Sequence, residues 1–232
     1  MCQGKQTAQS HLEWRETGVP VSMRFDDPYY SLDHGLAETR HVFLEGNALP
    51  QRLCDGFEIA ELGFGTGLNF FATLELWRAL GIQGQLRFTS FELYPLEVED
   101  MRRALERFDG MLDLAAPFLE TWREHGVGSV TREDVIFDLR VGDARDTVPQ
   151  WERAADAWYL DGFSPAKNPE LWSDALLCAV GAKTRDNGTC ATYTAAGHVR
   201  RALGAAGFSI TRVKGYGRKR HMSVGHKGPQ CE

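Results

Sequence analysis

Acidic residues stand at the ends of four short apolar segments, where their carboxylates could bind a polar ligand and move a proton. They are Glu61, Glu92, Asp143 and Asp161. Glu92 is suited to accept hydrogen bonds from the two hydroxyls of a ribose, and Asp143 either to contact an adenine amino group or to cap a helix. This pattern predicts one nucleoside pocket in which Asp161 is left over for proton transfer.

A glycine-rich segment, ELGFGTGLNF at residues 61–70, surrounds the first of these acids. Gly63, Gly65 and Gly67 allow a tight turn between a strand and a helix, with close approach of the backbone to a ligand. The spacing is GxGxG, whereas a dinucleotide loop has GxGxxG. Glu61 would repel a pyrophosphate but suits a cationic ligand, so the segment favours S-adenosylmethionine over NAD. The alternative is a purely structural turn.

Alternating strands and helices are predicted from residue 57 onward. The apolar segments predict strands at residues 57–62, 85–92, 135–141, 156–160, 188–193 and 208–213, with helices at 68–80, 95–108, 169–182 and 197–207. Such alternation is typical of an α/β fold, in which helices cover both faces of a mostly parallel, twisted sheet. A last strand near residues 221–225 follows without an intervening helix and is expected to pair antiparallel.

The same pass along the chain predicts its organisation. Residues 1–50 are expected to form an N-terminal flap or extension, strand-rich within 20–45, and residues 51–225 the main domain. A helical insertion at about 109–133 interrupts the alternation, and 226–232 form a tail. These boundaries describe one α/β domain with a small appendage, which suits a chain of 232 residues.

Composition narrows the class of protein. The chain is 43% hydrophobic and 25% charged, as expected of a soluble domain with a substantial core. Its five cysteines are widely spaced and form no CxxC pair, so we expect free thiols and no metal site. The N-terminus is polar and the chain contains no apolar run long enough to span a membrane, so a cytoplasmic location is expected.

Charge is distributed unevenly along the chain. Residues 1–186 contain 31 acidic and 18 basic residues, whereas residues 187–231 contain 8 basic residues and no acidic one. An asymmetry of this size can indicate a surface that faces a polyanion such as a nucleic acid. It can equally be a basic C-terminal region that balances an acidic body, and the charges alone leave both interpretations open.

Several longer segments resemble the methyltransferase domain of the MnmC family: ELGFGTGLNF, FELYPL, VGDAR, WYLDGFSPAKNPELW and TAAGHVRRALGAAGFSITRVKGYGRKRHM, within about residues 24–225. The resemblance implies a Rossmann-like S-adenosyl-L-methionine-dependent methyltransferase fold. It further implies N-methylation of the 5-aminomethyl group of a wobble 5-aminomethyl-2-thiouridine in tRNA. No flavin-dependent oxidoreductase follows, so the chain resembles the stand-alone form, MnmD, with a separate oxidoreductase partner expected to supply the aminomethyl precursor.

The strand ends and the resemblance together predict the site residues. The S-adenosyl-L-methionine site is expected to comprise Glu61, Gly63, Phe64, Gly65, Gly67, Asn69, Glu92, Asp143, Ala144 and Asp161. Asp161 is also the predicted catalytic residue, which orients the acceptor amine first and accepts or relays its proton second.

Six further residues are predicted to bind the tRNA. Phe163 is expected to stack on the flipped base, or else to be a core phenylalanine. Lys167, with Asn168, either contacts phosphate or shapes the turn. The tRNA backbone is expected to lie on Lys214, Arg218, Lys219 and Arg220. We assign no role to the flap residues Tyr29, Tyr30, Arg40 and His41.

Three other functions compete with this one. An aminopropyltransferase of the polyamine-synthase type would share the fold and the acid, but the basic segment 212–220 would repel a polyamine. A non-catalytic RNA-binding module has no use for four acids at strand ends. A nicotinamide oxidoreductase is the weakest alternative, because its glycine spacing differs.

Overall fold

The computed structural model describes residues 12–16, 18–31 and 34–229. Its strands are β1 (Leu12–Trp14), β2 (Pro20–Ser22), β3 (Asp27–Pro28), β4 (Glu58–Leu62), β5 (Leu86–Glu92), β6 (Val130–Thr131), β7 (Val135–Val141), β8 (Ala155–Leu160), β9 (Thr184–Thr192), β10 (Phe208–Lys214) and β11 (His221–Lys227). Its α-helices are α1 (Gly35–Thr39), α2 (Leu49–Arg52), α3 (Leu68–Ala79), α4 (Val98–Leu105), α5 (Met111–His125), α6 (Ala144–Gln150), α7 (Asp174–Ala182) and α8 (Gly197–Ala205).

Eight of these strands form one sheet in the order β10-β11-β9-β8-β4-β5-β7-β6. The five central strands run parallel, as the pairings of β4 with β5 and β8, β5 with β7, and β8 with β9 show. β11 lies antiparallel between β9 and β10. The predicted mostly parallel sheet and its antiparallel last strand are therefore confirmed.

Helices cover both faces of this sheet because the central strands are apolar on both sides. Ile59 and Phe88 point to one face, where they pack with residues of α3, α4 and α5. Ala60 and Trp158 point to the other face, which is covered by α6, α7 and α8. Neighbouring residues of a strand point to opposite faces, so a single strand such as β4 anchors both helical layers.

The segment 109–133, predicted as a helical insertion, contains α5 and the short edge strand β6. Phe118 and Trp122 of α5 are buried and make edge and tilted ring contacts with Phe70 and Phe137. The indole of Trp122 donates a hydrogen bond to the carbonyl of Gly128 at 2.7 Å. α5 thus belongs to the core layer on one face of the sheet.

Two local features differ from the sequence expectation. The predicted helix at 169–182 is divided into a 3₁₀ helix, Pro169–Trp172, and α7, because Ser173 between them has an extended backbone (φ −66°, ψ 146°). The flap contains less strand than predicted: β2 and β3 are three and two residues long, and α1 and a π-helix, Arg40–Glu45, follow them.

Within the described residues, every helix is too short or too polar to cross a membrane.

Candidate active site

A cavity of about 1450 Å³ opens at the carboxyl ends of the parallel strands. This edge is where open α/β sheets bind their ligands. The glycine-rich segment, the flap, residues 161–171 and the loop between β10 and β11 contribute to its walls. Pockets for one small ligand measure roughly 300–1,000 Å³, so this cavity is large enough for a cofactor together with part of a second substrate.

The glycines of the segment 61–70 have different functions in the structure. Gly63 (φ +87°) and Gly65 (φ +53°) line the cavity in backbone conformations that favour glycine. A Cβ on Gly63 would lie 2.4 Å from the carbonyl oxygen of Asp161, so only glycine lets the two segments pack this closely. Gly67 lies away from the cavity: it precedes α3, and a Cβ there would meet the rings of Phe64 and Phe71.

Phe64, predicted to contact the cofactor, reaches the cavity at one edge but is 3% exposed. Its ring packs against Trp122 and Phe137 in the core, with centroid distances of 5.8 and 5.0 Å. Its backbone N–H points to a carboxylate of the cavity wall. The side chain of Phe64 therefore anchors the glycine turn, and its amide is the part that acts in the site.

Glu92 receives that amide. One carboxylate oxygen accepts hydrogen bonds from the backbone N–H groups of Phe64 (2.9 Å) and Gly65 (3.1 Å), and the other accepts one from Tyr94 (2.8 Å). A carboxylate has about four acceptor positions, so three N–H donors leave capacity for a ligand hydroxyl. Glu92 lines the cavity, as its predicted ribose contact requires.

Asp143 is the N-cap of α6, one of the two interpretations left open by the sequence. Its carboxylate accepts from the backbone N–H of Arg145 at 2.9 Å and pairs with the guanidinium of Arg145 at 2.6 Å. These hydrogen bonds lower the pKa of Asp143. Asp143 and Ala144 both line the cavity, and a contact between either residue and an adenine remains a prediction.

Glu61 does not face the cavity, contrary to the sequence expectation. Its side chain is fully buried below the glycine turn, where it accepts hydrogen bonds from Ser90 (2.7 Å) and Asn69 (2.9 Å). Burial raises the pKa of Glu61 well above its ordinary value, and the nearby acids Asp161 and Glu92 raise it further. A buried acid of this kind cannot attract a cationic ligand directly, but it can orient its neighbours.

Asn69 connects Glu61 to the predicted catalytic residue. Its amide nitrogen donates to Glu61 and, at 2.7 Å, to Asp161, while its amide oxygen accepts from the hydroxyl of Thr39 at 2.9 Å. Asn69 borders the cavity, but its polar atoms are used by these three protein groups. Its contact with the cofactor remains a prediction, and the structure adds its contact with Asp161.

Asp161 follows β8 and lines the cavity. Burial raises its pKa to about 7, against the effect of the hydrogen bond from Asn69; Glu38 raises the pKa further and Lys219 lowers it. An acid that is half ionised near neutral pH is suited to both proton acceptance and proton donation. The predicted catalytic residue therefore has the position and the acidity that its role needs.

Phe163 forms an aromatic wall with two rings of the flap. It stacks on Phe25 (centroids 4.8 Å apart) and meets the edge of Tyr29 (5.1 Å). It is half-buried and lines the cavity, so it is not a core phenylalanine. Whether a base stacks on it remains a prediction, and Tyr29 is the flap residue placed to share that contact.

Lys167 lines the cavity and contacts the flap, which agrees with the turn-shaping role left open by the sequence, while a phosphate contact remains a prediction. Its ammonium contacts the flap residues Asp26 and Asp27, and Asp27 also accepts from the backbone N–H of Ser164 at 2.8 Å. The backbone N–H of Asn168 donates to the carbonyl of Ser164 at 2.9 Å, so this residue shapes the turn. Together these contacts hold the segment after Asp161 against the flap.

The basic loop, residues 215–220 between β10 and β11, contains three of the four residues predicted to bind the tRNA backbone. Arg218 and Arg220 are exposed, as is Lys214 at the end of β10. Lys219 instead turns to the cavity, where its ammonium lies 2.6 Å from a carboxylate oxygen of Glu38 and 4.6 Å from the ring centroid of Tyr193. Lys219 therefore differs from the other three in having a contact inside the cavity, although its side chain is still 48% exposed.

Three flap residues without an assigned role make structural contacts. Tyr30 donates to the carbonyl of Ala104 at 3.4 Å, and Arg40 pairs with Glu75. His41 lies 2.9 Å from Glu45 and 3.1 Å from the carbonyl of Lys214.

Glu38 and Tyr193 are two polar cavity residues that sequence reasoning missed. Tyr193 directly follows β9, so the rule that ligands lie at strand ends would have identified it. Glu38 lies in a short helix of the flap, and its local sequence contains no signal for the cavity.

The sheet order, the glycine turn and the acid-lined cavity define an α/β enzyme that binds a nucleoside cofactor at the carboxyl ends of a parallel sheet. Residues 96–228, more than half of the chain, match the family described as S-adenosyl-L-methionine-dependent methyltransferase. The chain belongs to this family.

Individual relatives agree with the family. Two proteins named tRNA 5-methylaminomethyl-2-thiouridine biosynthesis bifunctional protein MnmC are similar to this chain. The one from Aeromonas hydrophila is 45% identical over 96% of this chain and 36% of its own length, and the one from Caulobacter vibrioides is 44% identical over 92% and 37%. The chain thus spans little more than a third of these relatives. The resemblance to MnmC proteins is confirmed.

A solved structure supports the fold. The crystal structure of MNMC2 from Aquifex aeolicus superposes on 98% of this chain and 74% of its own, with a TM-score of 0.75 at 24% identity.

The residues of the cavity fit S-adenosyl-L-methionine. Glu92 retains acceptor capacity for the ribose, and Gly63 and Gly65 line the cavity without a side chain. Carboxylates of Glu92 and Asp161 line the same cavity and suit a ligand with a positively charged sulfur and an ammonium group. We therefore expect this part of the cavity to hold the cofactor.

Replacing Glu61 with Gln tests whether burial favours the protonated form of this side chain. Because burial raises the pKa of Glu61 in the folded protein above its value in the unfolded chain, the stability that Glu61 contributes is complete at low pH and is lost as pH rises through the raised pKa. Because Gln cannot ionise, the free energy of unfolding of Glu61→Gln should not show this loss. Its excess over the wild-type value should grow by up to about 1.4 kcal/mol per pH unit, the slope for one proton. Urea unfolding at pH 5, 6.5 and 8 measures the difference. A difference independent of pH would show that Glu61 is ionised in the folded protein.

Proposed function

We propose that this methyltransferase transfers a methyl group to the 5-aminomethyl group of a wobble uridine in tRNA. The substrate nucleoside is 5-aminomethyl-2-thiouridine and the product is 5-methylaminomethyl-2-thiouridine. The observation that carries the proposal is Asp161: its carboxylate lies at the end of β8, within an acid-lined cavity large enough for two ligands, and has a pKa of about 7. The names of the two MnmC relatives support the choice of tRNA.

The acceptor is a primary amine, which arrives mostly as an ammonium at neutral pH. When bound, the cofactor supplies a methyl group on a positively charged sulfur. The nitrogen needs a free lone pair directed at that methyl group, and one proton must leave it. Ionised Asp161 accepts a hydrogen bond from the amine, fixes its direction and takes the proton or passes it to water.

Asp161 also stabilises the ammonium form of the acceptor, because an opposite charge favours protonation of an amine. Orientation is therefore its first role and proton acceptance its second. Asn69 restricts the carboxylate, since its amide donates to Asp161 while Glu61 and Thr39 hold the amide in place. The proposed base thus begins the reaction with its direction already set.

A uridine within an anticodon must leave its stack to bring its 5-substituent to Asp161. The aromatic wall of Phe25, Tyr29 and Phe163 borders the same cavity and offers ring faces and edges to such a base. Outside the cavity, Lys214, Arg218 and Arg220 are exposed near the end of β10. We propose that the base enters the cavity while these three residues bind the phosphates beside it.

The direct test is methylation of tRNA that carries 5-aminomethyl-2-thiouridine, with nucleoside mass spectrometry as the readout. We expect the wobble nucleoside to gain one CH₂ unit with S-adenosyl-L-methionine, and no change in tRNA that lacks the aminomethyl group. A parallel reaction with decarboxylated cofactor checks for aminopropyl transfer. If the protein binds the cofactor by calorimetry but leaves the aminomethyl nucleoside unchanged, the proposed acceptor is wrong.

Asp161→Asn preserves size but removes the ionisable group. Turnover should fall by roughly 10²–10⁴-fold, the usual contribution of a positioned acid–base group, while cofactor affinity changes little. The wild-type rate should fall below an apparent pKa of about 7, because protonated Asp161 cannot accept a proton. This acidic limb should be absent in the variant. Steady-state rates from pH 5.5 to 9 measure both effects, and wild-type turnover in the variant would assign Asp161 to the turn alone.

The double variant Arg218→Ala/Arg220→Ala tests the proposed RNA surface. Each lost phosphate contact lowers the slope of log affinity against log salt by about 0.7–0.9, so we expect a decrease of about 1.5 units and unchanged cofactor binding. Arg78→Ala/Arg185→Ala is the matched control, because these arginines pair with Asp134 and Asp156 near the amino ends of β7 and β8, whereas the cavity lies at the carboxyl ends. Equal slopes in the two double variants would place the RNA on another surface.

A further inference from the structure

Glu38 is an acid of the cavity wall that the proposed mechanism does not use. It lies on α1 with 12% of its side chain exposed, and it borders the same cavity as Asp161. Its carboxylate accepts a hydrogen bond from the ammonium of Lys219 at 2.6 Å. The pair is formed by two segments that are far apart in the chain, the flap and the basic loop.

Lys219 lies in an environment suited to a primary ammonium. Besides Glu38, its nitrogen lies 4.6 Å from the ring centroid of Tyr193, a distance at which the ring face attracts a cation. The hydroxyl of Tyr193 donates to the carbonyl of Gly162 at 2.7 Å, directly after Asp161. The ammonium of Lys219 is therefore held by an anchored ring and a mostly buried carboxylate, beside the proposed catalytic acid.

The acceptor in the proposed reaction contains the same chemical group, a primary ammonium on a methylene carbon. We propose that Glu38 and Tyr193 form an amine subsite beside Asp161, and that Lys219 occupies this subsite until an acceptor amine replaces it. This inference rests on the proposed function, since it identifies residues that select the amine. Asp161 then handles the proton, and Glu38 supplies selectivity for a charged acceptor.

Displacement has a consequence for the basic loop. Once an acceptor amine pairs with Glu38, Lys219 is released beside Arg218 and Arg220 and can bind a phosphate with them. A neutral 5-hydroxymethyl group cannot displace an ammonium from a carboxylate, because it brings no charge to replace it. The subsite therefore discriminates between amine and hydroxyl acceptors before any chemistry takes place.

Calorimetry with two nucleosides, 5-aminomethyluridine and 5-hydroxymethyluridine, measures this selectivity in the full chain without phosphates or turnover. The wild type should prefer the amine. Glu38→Gln should reduce the ratio of the dissociation constant of 5-hydroxymethyluridine to that of 5-aminomethyluridine about tenfold, because the bound ammonium loses its charged partner. Lys219→Met should increase the same ratio several-fold, because the competing cation is gone. Thermal unfolding establishes whether each variant is folded. If Glu38→Gln does not fold, the result for Lys219→Met alone tests the subsite.

Two controls lie outside the cavity: Glu75→Gln, which removes an acid paired with Arg40, and Lys183→Met, which removes a remote ammonium. Both should leave the ratio unchanged. The subsite is refuted if Glu38→Gln retains the amine preference, if Lys219→Met reduces it, or if the wild type shows no preference. Methylation of tRNA by the wild type is scored separately, so failure of the proposed function and failure of the subsite give different results.

Discussion

The amide of Asn69 is the contact on which the site depends. It donates to buried Glu61 on one side and to Asp161 on the other, and it is itself held by Thr39 of the flap. Two carboxylates this near to one another repel when both are ionised, and a shared donor reduces that cost. Burial raises the pKa of both acids, that of Glu61 well above its ordinary value and that of Asp161 to about 7. One side chain thus links the end of β4, the end of β8 and the flap.

The glycine turn makes this arrangement possible. Gly63 packs against the carbonyl of Asp161 in a conformation that favours glycine, and the turn presents two backbone N–H groups to Glu92. Glu92 is thereby fixed before any ligand arrives. The acids of the site are held by the fold itself: one by backbone donors, one by the Asn69 amide, and Asp143 by its role as a helix cap. Such preorganisation lowers the reorganisation needed when a substrate binds.

Much of the fold followed from the sequence because the parallel strands are short, apolar and separated by glycine-marked turns. Periodicity located β4, β5, β7 and β8 to within about a residue, and the strand-end rule located Glu92 and Asp161 in the cavity. Side-chain direction did not follow. Glu61 precedes the turn as predicted, yet it points below the cavity, because alternation along β4 and burial decide its direction.

The basic loop shows the same limit. Sequence identified a run of positive charge but could not show that Lys219 pairs with Glu38, a contact between residues 181 positions apart. Lys167 likewise contacts Asp26 and Asp27 of the flap, which its local sequence could not show. In both cases the basic side chain pairs with an acidic residue that is far away in the sequence, and the local sequence does not reveal this pairing. Pairing across the chain is a tertiary property, so composition alone cannot assign a basic residue to a nucleic acid.

The position of β11 between β9 and β10 has a consequence for the order of assembly during synthesis. β10 is made first, but its hydrogen-bonding partner in the sheet is β11, which is made afterwards. On the ribosome, the strands up to β9 can associate while β10 and the basic loop still have no place in the sheet. Lys219 reaches Glu38 only when β11 has emerged and inserted as a hairpin with β10. We therefore expect the nascent chain to form its glycine turn before the β10–β11 hairpin completes the cavity wall.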